Sequence, residues 1–202
     1  MHISEGVLSP PILAVGAAIA VGGTWLGLKQ TKAHQVPLMA VLTSAFFVAS
    51  LIHVPIGPTS VHLVLNGLVG ILLGFGAFPS ILIALLLQAL FFQFGGIIVL
   101  GANTTNMALP AVIVYLLFKR MCISPKRGLR LLGGFLAGAM AIFLAAICVA
   151  MCLFFTGDNF IAAAKTVVVA HIPIMIIEGI ITAIVVDFIW KVKPEMLNIA
   201  TR

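Results

Sequence analysis

Of the 202 residues in this chain, 62% are hydrophobic and only 8% are charged, far below the roughly 25% charged residues of a soluble domain. At about 20 residues per crossing the length allows roughly six to eight spans, a single bundle with no room for a separate soluble domain. The net charge of +6 is then no nucleic-acid footprint, because basic residues in a membrane protein mark its cytoplasmic loops.

The chain opens with the polar stretch Met1-His2-Ile3-Ser4-Glu5-Gly6. It has no basic segment ahead of the first apolar run, so no signal peptide is expected. The large His2 side chain disfavours removal of Met1. A histidine at position 2 can bind a divalent metal through the Met1 α-amine, the His2 amide nitrogen and His2 Nδ1. These three near-coplanar nitrogens leave one in-plane position open, and square-planar nitrogen sites suit Ni(II) or Cu(II). The rest of the chain must supply the fourth ligand.

Apolar runs bounded by Pro, Gly and charge predict helices at 8–28, 37–53, 61–75, 79–94, 103–118, 129–155 and 164–190. The expected fold is an all-α integral membrane protein, one transmembrane domain over residues 1–202 with seven helices. Six helices result if Gly74 to Pro79 is a turn at the membrane edge. With the N-terminus outside, Lys29, Lys32, Lys119, Arg120, Lys126, Arg127, Arg130, Lys191, Lys193 and Arg202 all fall inside, and only Lys165 falls outside. The positive-inside rule therefore places the N-terminus outside and the C-terminus in the cytoplasm. Small residues recur every four positions at Gly16/Ala20, Gly23/Gly27, Gly70/Gly74, Gly134/Gly138 and Ala137/Ala141, stripes that let helices approach closely.

The polar residues gather toward the outer side. His34 falls in a cytoplasmic loop, where a solvated role is expected. His53 ends a predicted helix beside the Pro55-Gly57-Pro58 loop, as a group supporting the metal ligands, an entry-path residue or an interfacial one. Thr59 or Ser60 is expected to cap a helix starting near Val61, with His62 in its first turn and Asn66 one turn on along the same face. His62 shares a membrane side with Met1-His2 and is the candidate fourth ligand. Gln93 to Asn103 is too rich in glycine for a stable helix and reads as an ordered loop, with Asn103 capping the next helix. Asn106 and Gln88 lie in apolar helices and each needs a partner. His171 and Glu178 share a helical face; Glu178 is expected in a packed polar network, with proton relay and partner of a cation as the competing roles. Asp187 and Lys191 form a helix-end pair, and Cys122, Cys148 and Cys152 have no metal or redox spacing. No Walker motif, nucleophile elbow or zinc-protease signature occurs, which predicts binding and passage rather than bond making.

Four motifs in order carry a resemblance over residues 1 to 190. They are Met1-His2-Ile3 with Glu5-Gly6, Pro58-Thr59-Ser60-Val61-His62, Gly95-Gly96 with Leu100-Gly101-Ala102-Asn103 and Asn106-Met107, and Ile172-Pro173 with Glu178-Gly179. The chain resembles the CbiM/NikM family, the membrane-embedded substrate-capture (S) components of energy-coupling-factor (ECF) transporters for cobalt and nickel. The resemblance implies a seven-helix bundle whose N-terminus folds into its outer face. It implies a metal held by Met1, His2 and His62 and covered by the loop from Gly95 to Asn103. It further implies no resident cofactor and no enzymatic activity in this chain. The expected partners are a transmembrane coupling (T) subunit, two cytoplasmic ATPase subunits and a small accessory membrane protein. Leu63 follows His62 where many cobalt members carry proline, and Ile98-Val99 stands where threonines are common; cobalt and nickel both stay open. Two other functions compete: a free-standing proton-coupled metal carrier using Glu178 and His171, and a non-transporting assembly subunit that docks through its small-residue stripes.

Overall fold

The computed structural model describes residues 2–51, 53–56 and 59–197. It is helical, with one short hairpin. Helix α1 (Pro10–Gln30) begins at two prolines, whose fixed φ suits a first turn that needs no N–H partner. After a 3-10 turn at Ala33–Gln35, α2 (Val36–Ala49) runs back along the bundle. Two strands follow, β1 (His53–Ile56) and β2 (Thr59–His62), antiparallel with His53 opposite His62 and Ile56 opposite Thr59. Then come α3 (Asn66–Leu73), α4 (Ala77–Phe92), α5 (Leu100–Cys122), α6 (Arg127–Thr156), α7 (Ile161–Ala170) and α8 (Ile172–Val192).

Several predicted boundaries need correction. The helices expected at 37–53 and 61–75 give up residues to the hairpin, so His62 ends β2 rather than lying in a helical turn, and the next helix begins at Asn66 with Leu65 at its N-cap. The physical reason lies in the residues: β-branched Val54, Ile56, Thr59 and Val61 flank Gly57-Pro58, which is strand–turn–strand composition. The region read as one helix at 164–190 is two, α7 and α8, meeting at His171 ahead of Pro173. The helix expected at 103–118 spans Leu100–Cys122, so Asn103 lies inside its first turn rather than at its cap.

Among the described residues, five stretches are long and apolar enough to cross a membrane: Pro10–Gln30, Asn66–Phe92, Leu100–Cys122, Arg127–Thr156 and Asp158–Val192, beside the shorter apolar Ala33–Ala49. The Asn66–Phe92 stretch is broken at Gly74–Gly76, where Gly74 adopts φ +57°. This break stops α3 after eight residues. Lys119 Nζ donates to the carbonyl of Ile71 at 2.8 Å, which meets both the unpaired acceptor and the negative end of the helix dipole.

Helix α5 is the hub, in contact with α1, α3, α4 and α6, while α6 packs against α8. The small-residue stripes sit in these contacts. A methyl group on Gly16 would lie 2.6 Å from Ala102 Cα, and one on Gly134 would lie 2.7 Å from Ala183 Cα. Gly70 lies against the Ala111 backbone and Gly138 against the Glu178 carbonyl, while Ala137 and Ala141 are fully buried. The stripes therefore close the bundle on itself. At the basic end, Arg130 is buried and its guanidinium reaches Asp187, which also holds Lys191 at 2.7 Å and Arg127 at 3.4 Å. Trp190 covers the same guanidinium, whose carbon lies 4.0 Å from the ring centroid.

Candidate metal centre

The N-terminal segment enters the bundle at the end opposite Arg130. Ile3 is fully buried and His2 is only 6% exposed. Ile3 N–H donates to Asn103 Oδ1 at 2.9 Å, and Asn103 Nδ2 donates back to the Ile3 carbonyl at 3.0 Å. The amide of Asn103 thus pairs with residue 3 as a neighbouring strand would. Glu5 N–H donates to the Gly95 carbonyl at 3.1 Å, and Ile98 N–H donates to Glu5 Oε1 at 2.9 Å. The loop between α4 and α5 is thereby strapped across residues 2 to 5. Gly96 makes this possible: at φ +128° a Cβ would collide with the Glu5 carboxylate.

Beneath that strap the two candidate imidazoles meet. His2 Nδ1 lies 3.0 Å from His62 Nε2, with ring centroids 4.7 Å apart and planes tilted by 32°. His62 Nδ1 donates to the Leu63 carbonyl at 2.7 Å. A carbonyl only accepts, so Nδ1 carries the proton and the neutral ring directs its Nε2 lone pair at His2. Burial, and after it neighbouring positive charge that includes His2, holds the His62 pKa well below its ordinary value. The ring therefore stays neutral at a pH where a solvated imidazole is partly protonated. Metal–nitrogen bonds of about 2.0–2.1 Å at a right angle separate adjacent ligands by about 2.9 Å. The spacing of these two nitrogens fits adjacent positions on one ion.

Glu178 sets where His62 sits. Its Oε1 accepts from Val64 N–H at 2.6 Å and Leu65 N–H at 2.8 Å. These amides form the turn between β2 and α3, where Leu65 takes the left-handed φ of +58°. Glu178→Gln keeps an acceptor at this place and is expected to leave Ni(II) binding within a few-fold of native. Glu178→Leu leaves two buried N–H groups unpaired, each at a cost of about 1–3 kcal/mol, and is expected to weaken binding by displacing His62. Isothermal titration of the two purified variants separates these outcomes.

The remaining candidates are distributed as follows. Met1 lies outside the described residues. His53 pairs in register with His62 along the backbone, and its side chain lies outside the described residues. Asn66 Nδ2 donates to the Met107 carbonyl at 3.2 Å, and Asn106 Oδ1 accepts from Cys152 Sγ at 3.5 Å, both inside the helix bundle. His171 Nδ1 donates to the Val167 carbonyl at 2.7 Å. Sequence reasoning did not place Gln88 in the site, yet its Oε1 stands 2.7 Å from His2 Nε2. The signal was there: a buried amide in the apolar helix α4 requires a partner. The role of Glu5 as a strap residue had no signal beyond its place in the motif of Met1-His2-Ile3 with Glu5-Gly6.

A family model described as the cobalt uptake substrate-specific transmembrane region matches residues 2–196. A putative metal transport protein of Haemophilus influenzae is 45% identical over 201 residues, covering 98% of this chain and 97% of that protein. A putative cobalt transport protein CbiM of Methanocaldococcus jannaschii is 34% identical over 216 residues, covering 98% and 90%. A fused nickel transport protein NikMN of Rhodobacter capsulatus is 38% identical over 120 residues, 56% of this chain and 35% of that longer protein. Among solved structures, a transition metal transporter superposes with a TM-score of 0.75 at 32% identity, covering 95% of this chain and 93% of that one. A truncated transition metal transporter gives 0.72 at 29% identity, with 96% and 99% covered.

Proposed function

This chain belongs to the CbiM/NikM family of cobalt and nickel transport membrane components, and from that premise we propose that it is the substrate-capture subunit of an ECF-type ABC transporter. It is a multi-pass membrane protein of the plasma membrane. The observation that carries the reading is the His2 Nδ1–His62 Nε2 pair, 3.0 Å apart and buried under the loop between α4 and α5. In this proposal both nitrogens bind one divalent ion, and the Met1 amine and His2 amide complete a square of four nitrogens. Binding then releases protons, because the amide must ionise and any protonated imidazole must become neutral.

The proposed topology has the metal end outside and the cluster around Arg130 in the cytoplasm, with seven crossings. Supporting it, Gly76 at the α3–α4 break packs near Thr31, just beyond α1. That contact brings two reversals of the chain to the basic end. ATP hydrolysis belongs to two separate cytoplasmic subunits linked through a transmembrane coupling subunit, with a small accessory membrane protein completing the assembly. Against the carrier alternative, Glu178 Oε1 accepts from the Val64 and Leu65 amides that form the turn after His62, a structural task at the metal site. The test is metal uptake by cells that express this chain with its partners. Accumulation of radioactive Ni(II) or Co(II) is expected to stop when the ATPase subunits are inactivated; uptake that continues unchanged would establish the free-standing carrier.

A further inference from the structure

Gln88 is fully buried near the end of α4, a helix that is otherwise apolar along this stretch. The two ends of its amide face opposite demands. On one side Nε2 donates to the Phe47 carbonyl at 3.1 Å and to Ser50 Oγ. Ser50 in turn donates its hydroxyl hydrogen to the Phe46 carbonyl at 2.9 Å. Backbone carbonyls accept and never donate, so the end of α2 fixes the polarity of the chain of bonds: the Gln88 NH2 group must point at α2. Its Oε1 must then point the other way, where it meets His2 Nε2 at 2.7 Å.

The consequence falls on His2. A neutral imidazole carries one proton and one lone pair. In one tautomer Nε2–H donates to Gln88 and the Nδ1 lone pair faces His62. In the other, Nδ1–H donates across the 3.0 Å gap to the His62 Nε2 lone pair, and the two histidines satisfy each other. Only the first tautomer can receive a metal at Nδ1. The first sets two lone pairs 3.0 Å apart until a metal lies between them; the second sets a bare Nε2 against the Gln88 oxygen at the shorter distance of 2.7 Å, so Gln88 penalises the closed pairing.

We propose that Gln88, oriented by the Phe47 carbonyl and Ser50, is a positioning residue for metal capture that holds His2 in the tautomer whose Nδ1 lone pair faces His62. The proposal rests on the capture reading for its purpose, but the tautomer it specifies exists in the metal-free protein. Apparent affinity falls by the fraction of molecules in the binding-competent state, and loss of a group that orients a metal-binding imidazole weakens affinity by about 10- to 100-fold.

The experiment uses full-length protein in lipid nanodiscs, labelled with 15N at histidine, metal-free, with the His2 resonances assigned by their loss in His2→Ala. In the native protein His2 is expected to be protonated predominantly at Nε2. In Gln88→Leu the Nδ1-protonated form rises and Ni(II) affinity drops by about 10- to 100-fold. Gln88→Glu, which as a neutral acid can donate to the Phe47 carbonyl and accept from His2, restores the native tautomer. Ser50→Ala keeps Gln88 but removes one of the groups that orients it, and gives an intermediate population even if Gln88→Leu does not fold. A His2 tautomer unchanged in both Gln88→Leu and Ser50→Ala overturns the proposal, whatever happens to affinity. A native protein with the expected tautomer that binds no metal would instead overturn the capture reading and leave this one standing.

Discussion

Replacing His62 with alanine is expected to weaken Ni(II) and Co(II) binding by about a thousandfold or more, a loss of ~4 kcal/mol or greater. The reason lies in how the ligand is prepared. Its proton is committed to the Leu63 carbonyl, so the Nε2 lone pair is already directed at His2. Burial keeps the ring neutral, so little is lost in displacing a proton before the metal arrives. An ion held by the N-terminal nitrogens alone would keep one in-plane position for solvent and lose its buried anchor. His2→Ala is expected to cost at least as much, because it removes Nδ1 and the contact to Gln88 together. Isothermal titration or competition with a chelator of known affinity reads both. Native-like affinity in His62→Ala would remove this histidine from the metal's coordination sphere.

The second large effect is at the other end of the bundle and concerns folding rather than metal. Arg130 is buried at 2% exposure between α6 and α8, and Asp187 is the carboxylate that balances it. Asp187→Leu leaves that charge without its partner, and breaking a buried pair by removing one member typically costs about 3–5 kcal/mol. The unfolding midpoint in detergent is expected to fall accordingly. The double change Arg130→Met with Asp187→Leu removes both charges and is expected to recover most of the loss, since apolar replacements of buried pairs are often neutral or better. Equal destabilisation of the single and double variants would show that packing against Trp190, rather than charge, holds this corner. Metal affinity should stay near native in any variant that folds, because the two sites lie at opposite ends of the bundle.

How much of this was legible in the sequence differs from residue to residue. The apolar runs marked most helices, because a membrane segment must pair every backbone group internally and therefore reads as a long unbroken stretch. The hairpin was missed because Pro55, Gly57 and Pro58 marked residues 54–60 as a loop, and the short β-branched segments within it were not read as strands. His2 and His62 were legible as candidate ligands from residue type and membrane side, and the structure brings their ring nitrogens together at 3.0 Å. Their actual approach is built by groups that local pattern does not predict: Asn103 pairing with residue 3, Glu178 fixing the turn after His62, and Gln88 behind His2. Each joins residues more than 80 positions apart, so no periodicity or spacing rule reports it. The break at Gly74–Gly76, by contrast, followed directly from two glycines around one phenylalanine. The small-residue stripes were visible too, and only packing could assign them to the interior.

In the proposed site a terminal chelate, Met1 amine with His2 amide and imidazole, joins His62 around one metal ion. The most direct measurement compares Ni(II) binding by the native chain with a version carrying one extra residue ahead of Met1, both verified by mass and by unfolding midpoint. The added peptide bond consumes the amine and pushes bulk into a segment buried beneath the loop between α4 and α5. The extended chain is expected to fold as the native one does and to lose affinity by about a hundredfold or more, ~2.7 kcal/mol or greater. Equal affinity in the two proteins would contradict the terminal chelate.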